Sequence, residues 1–115
     1  MNKITLIVII LSSVSLLQEL SNGMILFTPF NSENQTSTTY LVDQDLNELN
    51  TWTHGDQRPA SMSYLLQDST ILFPFQIENP TMESGGVGGI IQHLDWNNNT
   101  LWEYAISDYN YQHHH

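Results

Sequence analysis

Three consecutive imidazoles, His113, His114 and His115, end the 115-residue sequence and are the groups best suited to chemistry. An unperturbed imidazole titrates near pH 6.5, so a neutral ring can attack while a protonated neighbour donates. The triplet also fits a purification-tag remnant or a surface patch that chelates stray metal, although the preceding Asp108-Tyr109-Asn110-Tyr111-Gln112 is unlike a linker. Two other histidines are weaker candidates. His93 alternates with Gln92 and Leu94 as a half-exposed strand residue does, and His54 precedes Gly55-Asp56 in what reads as a solvent-exposed turn. Asp43-Gln44-Asp45 and the Asp95 to Asn99 stretch place hard oxygens at alternating positions, as calcium prefers. Neither has the full ligand set of a calcium loop, and Asp and Asn build such turns without a metal. The Gly85 to Gly89 run lacks the Lys-Ser/Thr and the helix that a phosphate cradle needs, so it reads as a flexible connection between the blades of the repeat described below. No cofactor is implied.

Composition narrows the chemistry. Two Lys+Arg against 12 Asp+Glu give a formal net charge of −10, and Lys3 and Arg58 are the whole basic supply. A nucleic-acid partner is thereby excluded, because binding phosphates requires Lys and Arg to displace counterions. Hydrophobic residues make up 40% of the chain, ample for one folded domain but no more. With no cysteine, disulfides, thiol nucleophiles and thiolate metal sites are all excluded.

The amino terminus has the form of an export signal. Met1-Asn2-Lys3 is a short basic start, Ile4 to Leu17 is mostly apolar, and Gln18-Glu19 closes the run. A spanning helix needs about 20 apolar residues, so this segment is too short for a stable membrane anchor. Small residues at Ser13, Ser15, Ser21 and Gly23 allow cleavage between residues 15 and 23, and we take 1–23 as the signal. The product is then secreted or periplasmic, and Arg58 is its one remaining Lys or Arg. The sequons Asn34-Gln35-Thr36 and Asn98-Asn99-Thr100 are compatible with that route but arise readily by chance.

From residue 24 to 115 the sequence predicts an all-β, antiparallel architecture. Short runs of β-formers alternate with turn residues, and no apolar stripe of helical period is sustained. Predicted strands cover Met24 to Phe27, Thr38 to Val42, Glu48 to Thr53, Ser63 to Leu66, Ile71 to Phe75, Ile90 to Leu94 and Leu101 to Ile106. Asp43, Leu49 and Trp52 recur as Asp95, Leu101 and Tyr104, an offset of 52 residues at each pair. A repeat near this length made of antiparallel hairpins is the period of a propeller blade. The chain then supplies the first one to two blades of a β-propeller, with Trp52, Trp96, Trp102 and the tyrosines packing between blades.

From Gly23 onward the sequence resembles the amino-terminal part of the arylsulfotransferase family. The collinear matches are Gly23-Met24-Ile25-Leu26-Phe27-Thr28-Pro29, Thr39-Tyr40-Leu41-Val42-Asp43 with Trp52 downstream, and Ser63-Tyr64-Leu65-Leu66. They continue through Gly85 to Gly89, Ile91-Gln92-His93-Leu94-Asp95-Trp96, Leu101-Trp102-Glu103-Tyr104 and Tyr111-Gln112-His113-His114-His115. The family's next element, an acidic residue and a Leu-Pro-Asn-Gly hairpin, lies past residue 115. The resemblance implies a secreted or periplasmic propeller that moves a sulfuryl group from a phenolic sulfate donor to a phenolic acceptor. It further implies a sulfo-histidine intermediate, no nucleotide sulfate donor, and further histidines and an arginine on later blades. His114 and His115 fall on the family's paired histidines and would contact the sulfuryl oxygens, one of them donating to the leaving phenolate; His113 is the lesser candidate. The nucleophile is expected on a later blade, which leaves this segment inactive by itself. A different class of function, a non-enzymatic secreted propeller or sandwich that binds carbohydrate or mediates surface adhesion, suits the same strands.

Overall fold

A computed structural model describes residues 23–83 and 86–113. The expected signal segment, save Gly23, and both His114 and His115 lie outside the described residues. All the regular structure described is strand: β1 (Ile25–Phe27), β2 (Phe30–Asn31), β3 (Thr36–Val42), β4 (Glu48–Gly55), β5 (Tyr64–Leu65), β6 (Ile71–Gln76), β7 (Gly89–Leu94) and β8 (Thr100–Ala105). These form two antiparallel sheets.

In the first sheet β1 and β2 lie along the same edge of β3, Ile25 opposite Val42 and Asn31 opposite Thr36, while β4 occupies the other edge. Pro29 explains the break between β1 and β2, since it offers no N–H to a ladder. The second sheet is the meander β5-β6-β7-β8. Its first edge is interrupted too: Pro59 bridges Phe75, Ala60 N–H donates to the Pro74 carbonyl at 3.0 Å, and β5 resumes at Tyr64. Because the Pro74 carbonyl faces this broken edge, the donor that proline lacks falls there and not in the ladder to β7.

The 52-residue repeat is a repeat of structure. Val42 pairs with Glu48 and Leu41 with Asn50, skipping Leu49; Leu94 pairs with Thr100 and His93 with Trp102, skipping Leu101. The two matched leucines are therefore the extra residues of two equivalent bulges. The loops correspond bond for bond. Asp43 Oδ1 accepts from the Asp45 and Asn47 amides and Oδ2 from Asn47 Nδ2, while Asp95 Oδ1 accepts from the Asn97 and Asn99 amides and Oδ2 from Asn99 Nδ2. Both aspartates are held below the usual carboxylate range, first by the Asn side chain and then by the loop amides. Leu46 and Asn98, three residues on, both take the left-handed conformation, at φ 64° and 67°.

The core lies between the sheets. Leu41 and Trp52 of the first meet Ile71, Phe73, Phe75 and Leu94 of the second, with Leu26, Leu65 and Ile90 around them. Burying aliphatic and aromatic side chains of this size contributes roughly 1.5–3 kcal/mol each. The register fixes which faces meet. Thr39 opposite Trp52 and Leu41 opposite Asn50 put these four residues on the inner face of hairpin β3–β4. Their equivalents in hairpin β7–β8, namely Ile91, Tyr104, His93 and Trp102, lie on the face turned away, because Ile90, Gln92 and Leu94 face the core side with Phe75, Phe73 and Ile71. The sheets thus stack in the same sense, like successive steps, and not with like faces together.

The Gly-rich run does not join the two sheets as expected. Its described part, Gly86 to Gly89, lies inside the second sheet, where the connection from β6 reaches β7 and Gly89 pairs with Gln76. Gly89 has φ +116°, and a Cβ there would sit 2.6 Å from Ile77 Cγ2, so glycine is required by both backbone and space.

Candidate functional site

The histidine segment follows β8 directly. The Ile106 amide donates to the Gly89 carbonyl at 2.7 Å, the chain then turns on Asp108, whose Oδ1 accepts from the Asn110 and Tyr111 amides, and the His113 amide returns to the Ile106 carbonyl at 2.9 Å. Gln112 locks this turn to the β6–β7 connection: its Nε2 donates to the Met82 carbonyl at 2.8 Å, and its Oε1 accepts from the Met82 amide and from Ser107 Oγ, each at 3.0 Å. His113 is thereby held half-buried over the outward face of the second sheet. It lines a shallow cavity of about 70 Å³ with Tyr64, Leu72, Pro74 and Ile91. Of the three histidines it is the one the structure places, and the surroundings of His114 and His115 lie outside the described residues.

His93 is half-buried in β7, as its alternation predicts. Its Nε2 is 2.7 Å from Thr70 Oγ1 and its ring is tilted against Trp102 at 5.2 Å. His54 is a correction: it is not in an exposed turn but is buried near the end of β4, with 6% exposure. The strand continues two residues past the predicted end at Thr53, so strand alternation puts His54 on the same inward face as Trp52.

His54 belongs to a polar cluster that sequence reasoning missed. Its ring stacks on Phe73 with centroids 3.6 Å apart, and Nε2 lies 2.7 Å from Thr39 Oγ1. Thr39, Thr28 and Ser63 close a triangle of hydroxyls, with oxygens 2.7, 2.8 and 3.1 Å apart. Nδ1 is buried without a partner, so a protonated ring would carry an unsatisfied charged donor, and burial lowers the pKa from 6.5 to about 4. Neutral, stacked and sealed from water, His54 holds the sheets together; it is not a group that meets a substrate. The hydrogen-bonded pairs of the cluster lie 11 to 35 residues apart in the chain and share no local motif that could have revealed them.

A cleft of about 430 Å³ lies at one end of the sheet interface and includes Asp56, Arg58, Phe75, Glu78 and Glu103. Arg58 is the one Lys or Arg among the described residues, and its guanidinium lies 4.9 Å from the centre of the Phe30 ring. A cleft lined by three carboxylates and a single guanidinium does not make a receptor for a sulfuryl group, whose oxygens need net positive charge or several donors. The loop carboxylates Asp43 and Asp95 spend their oxygens on their own loops, and no group of three or more metal-ligating side chains is assembled among the described residues. Trp52 and Trp96 meet edge to face at 5.6 Å across the interface, a packing role. No protein-family profile, curated protein or solved structure gives a match to this chain.

Proposed function

We propose that this chain is the exported amino-terminal part of an arylsulfotransferase-like β-propeller. The observation that carries the reading is the 52-residue structural repeat stacked in one sense. Equivalent hairpins share register, bulge and Asp-loop bonds, and the inner face of one sheet lies against the opposite face of the next. Blades of a propeller bury their faces in this way, against neighbours of the same design. A sandwich-type binding module would instead bring two inner faces together around one closed core.

The chemistry rests on the sequence resemblance and on where the histidine segment begins. His113 is held on the second sheet by a turn that Asp108 and Gln112 pin, and His114 and His115 follow it in the sequence. By the resemblance these two would contact the oxygens of a sulfuryl group in flight between two phenols and stabilise charge on the departing phenolate. The histidine that takes the group covalently would come from a later sheet. The cleft at Arg58, acidic on balance, has no part in this reading.

The test is turnover of a chromogenic aryl sulfate by the product of the complete reading frame. Release of the phenol is expected to depend on a second phenol as acceptor and to need no nucleotide. His114→Ala and His115→Ala should each lower kcat/KM at least tenfold, about 1.4 kcal/mol of transition-state stabilisation. The 115-residue chain alone should show no turnover. A folded full-length product that transfers nothing would overturn the reading in favour of a binding module.

A further inference from the structure

The two sheets share one design but not one width. Val42 and Leu94 are equivalent in the repeat, so β1 and β2, which flank β3 as one interrupted strand, stand where β6 stands against β7. Ile25 takes the place of Ile71, Leu26 that of Leu72 and Phe30 that of Gln76. Beyond β6 the second sheet has a further edge strand. Tyr64 pairs with Leu72 and Leu65 with Ile71, the Ala60 amide donates to the Pro74 carbonyl at 3.0 Å, and the Gln76 amide donates to the Arg58 carbonyl at 2.9 Å. No strand among the described residues does this for the first sheet. By the shared register the backbone groups of Leu26, Thr28 and Phe30 point away from β3, to an edge on which nothing described pairs.

An open edge is a template for another strand, and proteins that keep one open blunt it with charge, proline or cover. From Gly23 to Phe30 there is no charged residue, and Met24, Ile25 and Phe27 are exposed. Pro29 is the one interruption. The second sheet shows that a proline is no bar here, since Pro74 lies within β6 and the strand beyond it still pairs on both sides, at Phe75 through Pro59 and at Leu72 through Tyr64.

We propose that an extended segment from the far end of the same polypeptide pairs antiparallel with the β1–β2 edge, so that the first sheet is built from both ends of the chain. Sheets stacked in one sense curve into a ring, and a ring brings the last part of a chain beside its first. The other ready source is the segment just before β1, which stands to it as β5 stands to β6, but the proposed leader takes residues 1–23 away on export. The pattern of the closing segment follows from β5. It should place an apolar residue opposite Ile25, as Leu65 lies opposite Ile71, and another opposite Leu26, as Tyr64 lies opposite Leu72. This closure rests on the exported-propeller reading and needs nothing of the sulfuryl chemistry.

The test is amide hydrogen exchange in the product of the complete reading frame. The Leu26 and Phe30 amides are expected to exchange as slowly as those of Leu72 and Gln76, roughly a hundredfold or more slower than an open edge allows. Open-edge exchange at both, in a folded product, would overturn the closure. Deleting the last strand of that product should free Leu26 and Phe30 while Leu72 and Gln76 stay protected; protection that survives the deletion overturns it too. Should the shortened product lose protection at Leu72 as well, and so fail to fold, the intact one decides through a benzophenone side chain placed at Met24. Its equivalent, Thr70, accepts from the Leu66 amide at 2.8 Å beside the edge strand. After irradiation the adduct should join Met24 to the far end of the same molecule, and an adduct to a second copy, or none to the far end, overturns the closure. A complete frame that encodes no further sheets removes the propeller and the closure together, whereas a folded propeller with an open first edge removes the closure alone.

Discussion

At the scale of single residues, His54 decides how the fold responds to acid. Its ring is neutral when folded and resists protonation down to about pH 4, whereas in the unfolded chain it takes a proton near 6.5. The unfolded state therefore binds more protons between these values. Stability is full above pH 6.5, falls as the pH drops from 6.5 to 4, and levels off below, a loss of about 3 kcal/mol. Denaturant midpoints recorded across that window should show this slope in the native chain and not in His54→Phe, which keeps the stack on Phe73 but cannot titrate. The carboxylates of Asp43, Asp68 and Asp95, each held below its usual range first by a neighbouring side-chain hydrogen bond, act in a separate window. Their contribution is present above the ordinary carboxylate pKa of 3.8 and is lost only as the pH falls further. Gly89 is a second point of sensitivity. Gly89→Ala puts a Cβ 2.6 Å from the Ile77 side chain at φ +116° and should cost about 2–3 kcal/mol in chemical denaturation.

At the scale of elements, the repeated Asp loop has one copy that carries the sheet interface and one that does not. The Asp95 carbonyl receives Trp52 Nε1, and the Asn98 side chain of the same loop reaches Thr53, whereas the Asp43 loop makes no such bridge among the contacts described. Asp95→Ala should therefore lower the unfolding midpoint more than Asp43→Ala, although the two side chains make the same local bonds. Trp52→Phe keeps most of the packing but loses the bond to the Asp95 carbonyl, and should cost about 2 kcal/mol by denaturant titration. These elements were largely legible in the sequence, because turn-forming Asp and Asn and alternating β-formers are local signals. The hairpins at Asp43, Asp68 and Asp95 fell where those residues put them. The two-residue strand β2 was not legible, since Pro29 hides it and only its pairing with Ser37 and Thr36 makes it a strand. His54 was misread because Gly55 suggests a turn, whereas Gly55 is the last residue of β4, opposite Ser37.

At the scale of the whole molecule, two sheets of one design stacked in one sense explain why a chain with so few charged partners holds together, and why it presents apolar faces at both ends. The period of 52 residues was visible in three matched pairs, but which face each hairpin buries was not, because that depends on the register and bulge of the pairing. The proposed histidine site rests on the resemblance alone: of its three residues the structure describes His113, on the second sheet, and the register of the strands carries no sign of sulfuryl chemistry. The account's central claim is that this chain opens such an enzyme, and the most direct measurement is the intact mass of the complete reading-frame product, quenched after mixing with an aryl sulfate and no acceptor. The account predicts a single added sulfuryl group on a histidine, discharged when a phenol is added. A mass that does not change, from a product shown to be folded, would contradict it.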